Sequence, residues 1–320
     1  MRKLIALGTI IAVAAIAAAC GGSSSDGGGG ADAGKFTAPD NIPMQKELGT
    51  GEGALNLVAW AGYVENGSTD PAVDWVTPFE QKTGCKVTSK TANTSDEMVT
   101  LMKTGEYDGV SASGDATLRL IAAGDVAPVN TDLVPSYADI FDDLKMQPFN
   151  SVNGVAYGIP HGRGANILMS LPDAVSPAPT SWGVVFDENS PYKGKVTAYD
   201  SPTYIADAAL YLMKTQPDLN ITNPYELDDK QFQAAIDLLK KQRTIIGEYW
   251  SDYTKEQAAF TSGDSVVGTS WQVIANLLEA DGVKVDTTVP EEGATGWSDT
   301  WMISSKAAHP NCMYMWMDWI

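Results

Sequence analysis

Apolar and polar residues fall into short blocks along most of the chain, and the period of the blocks switches regularly between two and three to four. Leu55 to Trp60 (LNLVAW) is a short alternating apolar run and predicts a strand, and Pro71 to Thr83 predicts a helix stopped by Gly84. Cys85 to Thr91 (CKVTSKT) predicts the next strand. SDEMVTLMKTG then predicts a helix with Ser95 as N-cap, Met98, Leu101 and Met102 on its apolar face and Gly105 beyond its end. Tyr107 to Ser113 (YDGVSAS) is strand-like and runs into a further helix in DATLRLIAAG. Strands and helices alternating at this spacing predict a parallel sheet covered by helices.

After Asn153 the pattern restarts. VAYGIPHGRGANILM is strand-rich, Gly194 to Ser201 (GKVTAYDS) predicts a strand and Thr203 to Thr215 a helix. Asp228 to Gln242 is strongly periodic, with acids early and lysines late as the helix dipole favours. DSVVGTSW predicts a strand and QVIANLLEADG a helix, and Trp297 to Ile303 reads as a return to the first sheet. The expectation is an α/β chain of two lobes, 53–160 and 161–295, with 296–320 rejoining lobe 1. Two lobes joined by more than one crossing segment make a cleft that can close on a ligand by hinge motion.

The ends differ in kind from the body. Arg2 and Lys3, an apolar run from Leu4 to Ala19 and then Cys20 after three alanines read as an export signal over 1–19, with Cys20 as a lipidated first residue of a bacterial lipoprotein. The run is too short to span a bilayer comfortably. A Gly/Ser-rich stretch follows, and 20–52 is expected to be a flexible tether that holds the body off an extracytoplasmic membrane surface. The last residues, HPNCMYMWMDWI, form an amphipathic helical pattern without a cap, as expected of a chain that continues beyond them.

The formal net charge of −19 argues against nucleic acid as a partner and is compatible with attracting cations. Beyond Cys20 two cysteines remain, Cys85 and Cys312, an even number in an oxidising compartment and so candidates for a disulfide. There are two histidines, His161 and His309, and no Walker loop, HExxH motif or paired-cysteine metal pattern, so neither catalysis, metal nor cofactor is expected. HGRGAN lacks both the Lys-Ser/Thr of a phosphate loop and the third glycine of a dinucleotide fingerprint.

Aromatic residues at strand ends carry more information. Trp60 and Tyr63 follow the first strand, Trp271 ends VVGTSW, and Trp297 lies beside Asp299 in GATGWSDTW. Ligands of open parallel sheets bind beyond the carboxyl ends of the strands, where these rings fall. An alkyl ammonium needs an apolar wall for its methylenes, a ring face for its charge and a carboxylate to pair with, and this set supplies all three.

On these residues the chain resembles the spermidine/putrescine-binding proteins of bacterial ABC importers. The resemblance runs through LNLVAWAGYV, FEQKTGCKV, YDGVSAS, YGIPHGRGAN, SWGVVFDENSPYKGKV, VVGTSW and EEGATGWSDTWMIS. It implies the two-lobed periplasmic-binding-protein fold of type II. It also implies ligand-wall roles for Trp60, Tyr63, Trp271 and Trp297, a polar contact for Ser113 and an ammonium-binding role for Asp299. The implied partners are a small cationic amine and an ABC permease, with the protein acting as a monomer.

Two departures from the family pattern leave alternatives open. In YDSPTY, Asp200 is kept, but Ser201 and Tyr204 stand where further carboxylates are expected. At the crossover Arg163 stands beside His161 where the family often has an aromatic; it would suit a zwitterionic or carboxylated ligand if it faces the cleft, or pair with a nearby acid such as Asp115 if it does not. A third reading is an extracellular enzyme or surface protein. The candidate ligand contacts are therefore Trp60, Tyr63, Ser113, Asp115, Arg163, Asp200, Tyr204, Trp271, Trp297 and Asp299.

Overall fold

In the first strand, Leu55, Leu57 and Ala59 point to one side and Val58 to the other, and all four are buried. A strand apolar on both faces has to be covered twice, which is why helices pack on both sides of the sheet it belongs to. The computed structural model describes residues 37–68 and 71–320. Cys20 and the export signal lie outside the described residues.

The chain runs β1 (Ala54–Ala59), α1 (Val76–Thr83), β2 (Lys86–Thr91), α2 (Ser95–Lys103), β3 (Gly109–Ser113) and α3 (Gly114–Ala123). Three short 3-10 turns between Thr131 and Leu144 lead to a small hairpin, β4 (Ser151–Val152) and β5 (Val155–Ala156), and then to β6 (Ile159–Ala165). Next come β7 (Ile167–Ser170), α4 (Gly183–Phe186), β8 (Val196–Tyr199), α5 (Tyr204–Thr215), α6 (Asp229–Gln242), β9 (Ile246–Trp250), α7 (Tyr253–Ser262), β10 (Val267–Ser270), α8 (Gln272–Ala280) and β11 (Asp286–Thr288). The chain then returns as β12 (Gly296–Ile303) and ends in α9 (Pro310–Trp319).

Two five-stranded sheets result, ordered β2-β1-β3-β12-β6 and β11-β7-β10-β8-β9. In the first, β1 is parallel to β2 and β3, while β12 runs antiparallel to both β3 and β6. One face is covered by Phe79 of α1 and Met313, Trp316 and Met317 of α9; the other by Met98 and Met102 of α2 and Leu120 and Ile121 of α3. In the second, β8 is parallel to β9 and β10, and β7 is antiparallel to β10 and β11. Its faces are covered by Val185, Ala208, Leu212 and Ala235 on one side and by Phe260, Ile274 and Leu278 on the other. The parallel sheets expected are thus mixed at the strands that cross between lobes, because a strand arriving from the other lobe enters from the opposite end.

Several local expectations are corrected. Helix α1 begins at Val76, not Pro71. Thr94, not Ser95, caps α2, its Oγ1 accepting from the Glu97 N–H at 3.1 Å, and Ser95 instead donates to Asp115. β6 stays in the first sheet to Ala165, so the chain leaves lobe 1 at Asn166 rather than at 160. Residues 37–52, expected within a tether, dock onto lobe 1. Gln45 donates to the Asn311 side chain at 2.8 Å, and the Glu52 carboxylate accepts the backbone N–H groups of Asn311 and Cys312 at 3.0 Å each, which caps α9. Burial pushes the Glu52 carboxyl up, but these hydrogen bonds outweigh it and hold it below the usual range. A disulfide joins Cys85, immediately before β2, to Cys312 of α9, Cα to Cα 5.8 Å.

Candidate functional site

β1 ends at Ala59 and releases Trp60 and Tyr63 into a turn closed by a Tyr63 N–H to Trp60 carbonyl hydrogen bond of 3.2 Å. Gly62 has φ +83°, a conformation open to glycine and strained for other residues, and it turns the chain back so that the phenol reaches β12. There the Tyr63 hydroxyl donates to Asp299 Oδ2 at 2.5 Å, and the Ser113 hydroxyl, at the end of β3, donates to Asp299 Oδ1 at 2.5 Å.

The ladder explains why the acid stands there. Asp299 is opposite Ser113 on one side and Gly162 on the other, and the register to β6 slips between Asp299 and Thr300, leaving His161 as the extra residue of a bulge. Bulges re-aim side chains, and this one adjoins Asp299 in the ladder. Asp299 is 3% exposed, and burial raises its pKa to about 6 in spite of the donors from Ser113 and Tyr63; the charge of Asp115 raises it further. The Trp60 indole N–H also favours the carboxylate, though it stands outside hydrogen-bonding geometry and has no other partner. Among the described residues no lysine or arginine pairs with Asp299.

Asp115 occupies the first turn of α3. One oxygen accepts from Ser95 Oγ at 3.0 Å and the other is buried with no partner. Burial raises its pKa as well. From the second lobe, Tyr199 at the end of β8 lies within electrostatic reach of Asp115, Asp299 and Asp200: burial first, then these charges, push its phenol up.

Rings complete the wall. Trp271, just after β10, meets Tyr199 at 5.1 Å, Trp250 at 4.9 Å and Trp297 at 6.0 Å, all edge-to-face. The Trp297 indole lies over Gly164, where a Cβ would come 2.3 Å from its Cζ2; only a glycine admits that approach. Its N–H is buried and unpartnered. On the other side His161 stands edge-on to Tyr63 at 5.1 Å.

Trp60, Tyr63, Ser113, Asp115, Trp271, Trp297 and Asp299 thus cluster, and Asp200 sits exposed on the turn after β8 with its charge reaching Tyr199. Two expected contacts do not join them. The Arg163 guanidinium pairs with Asp143 at 2.9 Å, not with Asp115, and stacks over Phe141. Tyr204 is 3% exposed in the core of lobe 2, its hydroxyl hydrogen-bonded to Thr269 at 3.1 Å and to the Gln242 side-chain amide at 2.9 Å. Sequence reasoning passed over Tyr199, although it ends a strand and the rule that singled out Trp271 would have found it, and Trp250, which ends a strand the pattern did not predict. A surface depression of about 460 Å3 lined by Pro172, Glu279 and 282–286 shares none of these residues.

Comparison with known proteins agrees with this architecture. The spermidine/putrescine-binding periplasmic protein of Escherichia coli K12 is 27% identical over 267 residues, which are 80% of this chain and 73% of that protein. The Tp0655 (TpPotD) lipoprotein of Treponema pallidum superposes with a TM-score of 0.69 at 17% identity, covering 83% of this chain and 79% of its own. The Atu4243–GABA receptor superposes at 0.62 and 20% identity, over 83% and 76%. The fold is that of the type II periplasmic binding proteins. The model of the bacterial extracellular solute-binding proteins matches residues 74–319, and the chain belongs to that family, as a solute-binding transport protein and not an enzyme.

Proposed function

We propose that this protein is the substrate-binding component of an ABC importer and captures an alkyl di- or polyamine of the spermidine and putrescine class. The observation that carries the reading is Asp299: a buried carboxylate with hydroxyl donors on both oxygens, no cationic side chain paired to it among the described residues, and the Trp60 indole beside it. One ammonium group of the ligand pairs with Asp299, and the charge of Asp115, which reaches Asp299, favours a second positive charge, as does Asp200 across Tyr199. The methylenes lie between Trp60, Trp271 and Trp297, whose ring faces attract the cation. Closure of the two lobes removes water and strengthens each of these contacts.

The curated relative named above is a spermidine/putrescine-binding protein, which supports the same ligand class. Arg163 would be needed for a zwitterion or carboxylate; its engagement by Asp143 weighs against that alternative. The protein acts as a monomer tethered by lipid on Cys20 to the outer side of the cytoplasmic membrane, where it hands its ligand to the permease. Cys20→Ser is expected to move it from the membrane fraction to the soluble fraction.

Calorimetric titration with putrescine and spermidine tests the reading. Asp299→Asn is expected to cost about 2–5 kcal/mol of amine binding, the usual effect of removing one partner of a buried charge pair. Arg163→Ala is expected to leave amine affinity unchanged. Equal affinity in the wild type and Asp299→Asn would overturn the assignment.

A further inference from the structure

The chain crosses between its two sheets at Asn166, between β6 and β7, and at 289–295, between β11 and β12. The two crossings are bonded to one another, the Asn166 N–H donating to the Thr295 carbonyl at 3.0 Å. A third residue, Asp207 in the first turn of α5, reaches both. Its Oδ1 accepts from the Thr295 hydroxyl at 2.7 Å and its Oδ2 from Asn166 Nδ2 at 3.1 Å, while Asn166 Nδ2 also donates to Thr295 Oγ1 at 2.8 Å. Three side chains close a ring, and each is at least 96% buried. From the ring a further bond runs to the cleft wall: Asn166 Oδ1 accepts the indole N–H of Trp271 at 2.9 Å.

We propose that Asp207 is a positioning residue: it ties the two crossings together and, through Asn166, sets the orientation of the Trp271 indole in the cleft wall. The inference rests on the amine reading only for the identity of the ligand. Its physical basis is the polarity of the ring. The Trp271 N–H commits Asn166 Oδ1 as an acceptor, so Asn166 presents only its NH2 group to Asp207, and the Thr295 hydroxyl has its proton free to donate there too. A group that accepts on both oxygens satisfies both donors at once. A buried acceptor or donor left over would cost more than the bond it replaced.

Protonation would break that match. Burial raises the Asp207 carboxyl to about 7, against the hydrogen bonds from Thr295 and Asn166. No charged group contributes to the shift; the ionisable neighbours that feel Asp207 are Tyr204 on its own helix and Tyr225 on the loop before α6, whose hydroxyl also accepts from the Gly296 N–H at 2.7 Å. The crossings themselves bring only Asn166 and Thr295. A proton on Oδ2 turns it from acceptor to donor opposite the Asn166 NH2, and a proton on Oδ1 forces the Thr295 hydroxyl to turn its own proton away, so that either loosens the tie between the crossings and the hold on Trp271.

The test follows the indole 1H–15N resonance of Trp271, identified by its loss in Trp271→Phe, in the ligand-free protein between pH 5.5 and 8.5. The resonance is expected to titrate with a midpoint near 7, and the titration to vanish in Asp207→Asn. Putrescine affinity at pH 8 is expected to fall about tenfold in Asp207→Asn, and the exchange Asn166→Asp with Asp207→Asn, which keeps the bond between the two side chains and the acceptor for the Trp271 N–H but leaves Thr295 one proton for two acceptors, to recover part of it. A Trp271 resonance indifferent to pH and to Asp207→Asn would overturn the proposal, as would full putrescine affinity in Asp207→Asn. A wild type that ignores putrescine while Trp271 still titrates through Asp207 would uphold this coupling and refute the amine reading.

Discussion

Tyr63 and Asp299 are 236 positions apart in the chain, and the phenol of one donates to the carboxylate of the other at 2.5 Å inside a nearly dry site. The contact holds Asp299 closer to ionisation than burial alone would leave it, since burial raises its pKa and the Tyr63 and Ser113 donors lower it. A cation binds the ionised form. Amine affinity should therefore weaken below about 6, approaching tenfold per pH unit once the ligand-free carboxyl is protonated, beyond the smaller loss that protonation of Asp207 brings near 7. Tyr63→Phe removes one donor, raises that pKa and moves the onset of the loss to higher pH. Putrescine titrations from pH 5.5 to 8.5 measure both curves; superimposable profiles would contradict the role given to the phenol.

Gly164 shapes the cleft by what it lacks. A methyl at this position would stand 2.3 Å from Trp297 Cζ2 and 2.6 Å from Cε2, so Gly164→Ala forces the indole out of its seat. Such overpacking costs about 1–3 kcal/mol. Amine affinity is expected to fall by roughly tenfold, with a change in tryptophan emission and a folded protein by circular dichroism. Unaltered affinity would place Trp297 outside the ligand's reach.

Glu256, fully buried on α7, links β8 to β10 by accepting from Thr197 and Ser270 at 3.0 Å each. Burial raises its pKa well above the ordinary value, against those two bonds. A carboxyl raised in the folded state stabilises it fully at low pH, and that contribution is lost as pH rises through the folded pKa. Glutamine does not titrate, so the stability deficit of Glu256→Gln should shrink from pH 5 to pH 8, by up to about 1.4 kcal/mol per pH unit within the titrating range. Urea midpoints at several pH values provide the check; a constant deficit would show that Glu256 stays in one protonation state throughout.

The disulfide between Cys85 and Cys312 joins residues 227 positions apart and pins α9 beneath the first sheet. Reduction, or Cys85→Ala with Cys312→Ala, should cost about 2–4 kcal/mol of stability. Urea unfolding with and without reductant measures it. Amine affinity at room temperature is expected to persist, since neither cysteine touches the cleft wall.

The chain's own pattern determined the elements whose cues are local. β1, α2, α6 and α8 follow from apolar period and from caps a few residues away, such as Asp228, which accepts from the Gln231 N–H at 2.8 Å. β9 and α7 escaped, because the buried face of α7 is only Glu256 and Phe260, too sparse to register as a period. The carboxylate between indoles also showed in the sequence, as Asp299 flanked by Trp297 and Trp301, though Trp301 proves to be core.

Tertiary structure alone decided the rest. Whether Arg163 faces a ligand depended on Asp143, whether Tyr204 lines a cleft depended on Thr269 and Gln242, and the joining of both crossings by Asp207 depended on two segments 129 positions apart. A strand or helix reads its neighbours along the chain, but a side chain's partner is chosen by which elements the sheets bring together, and no period in the sequence encodes that choice.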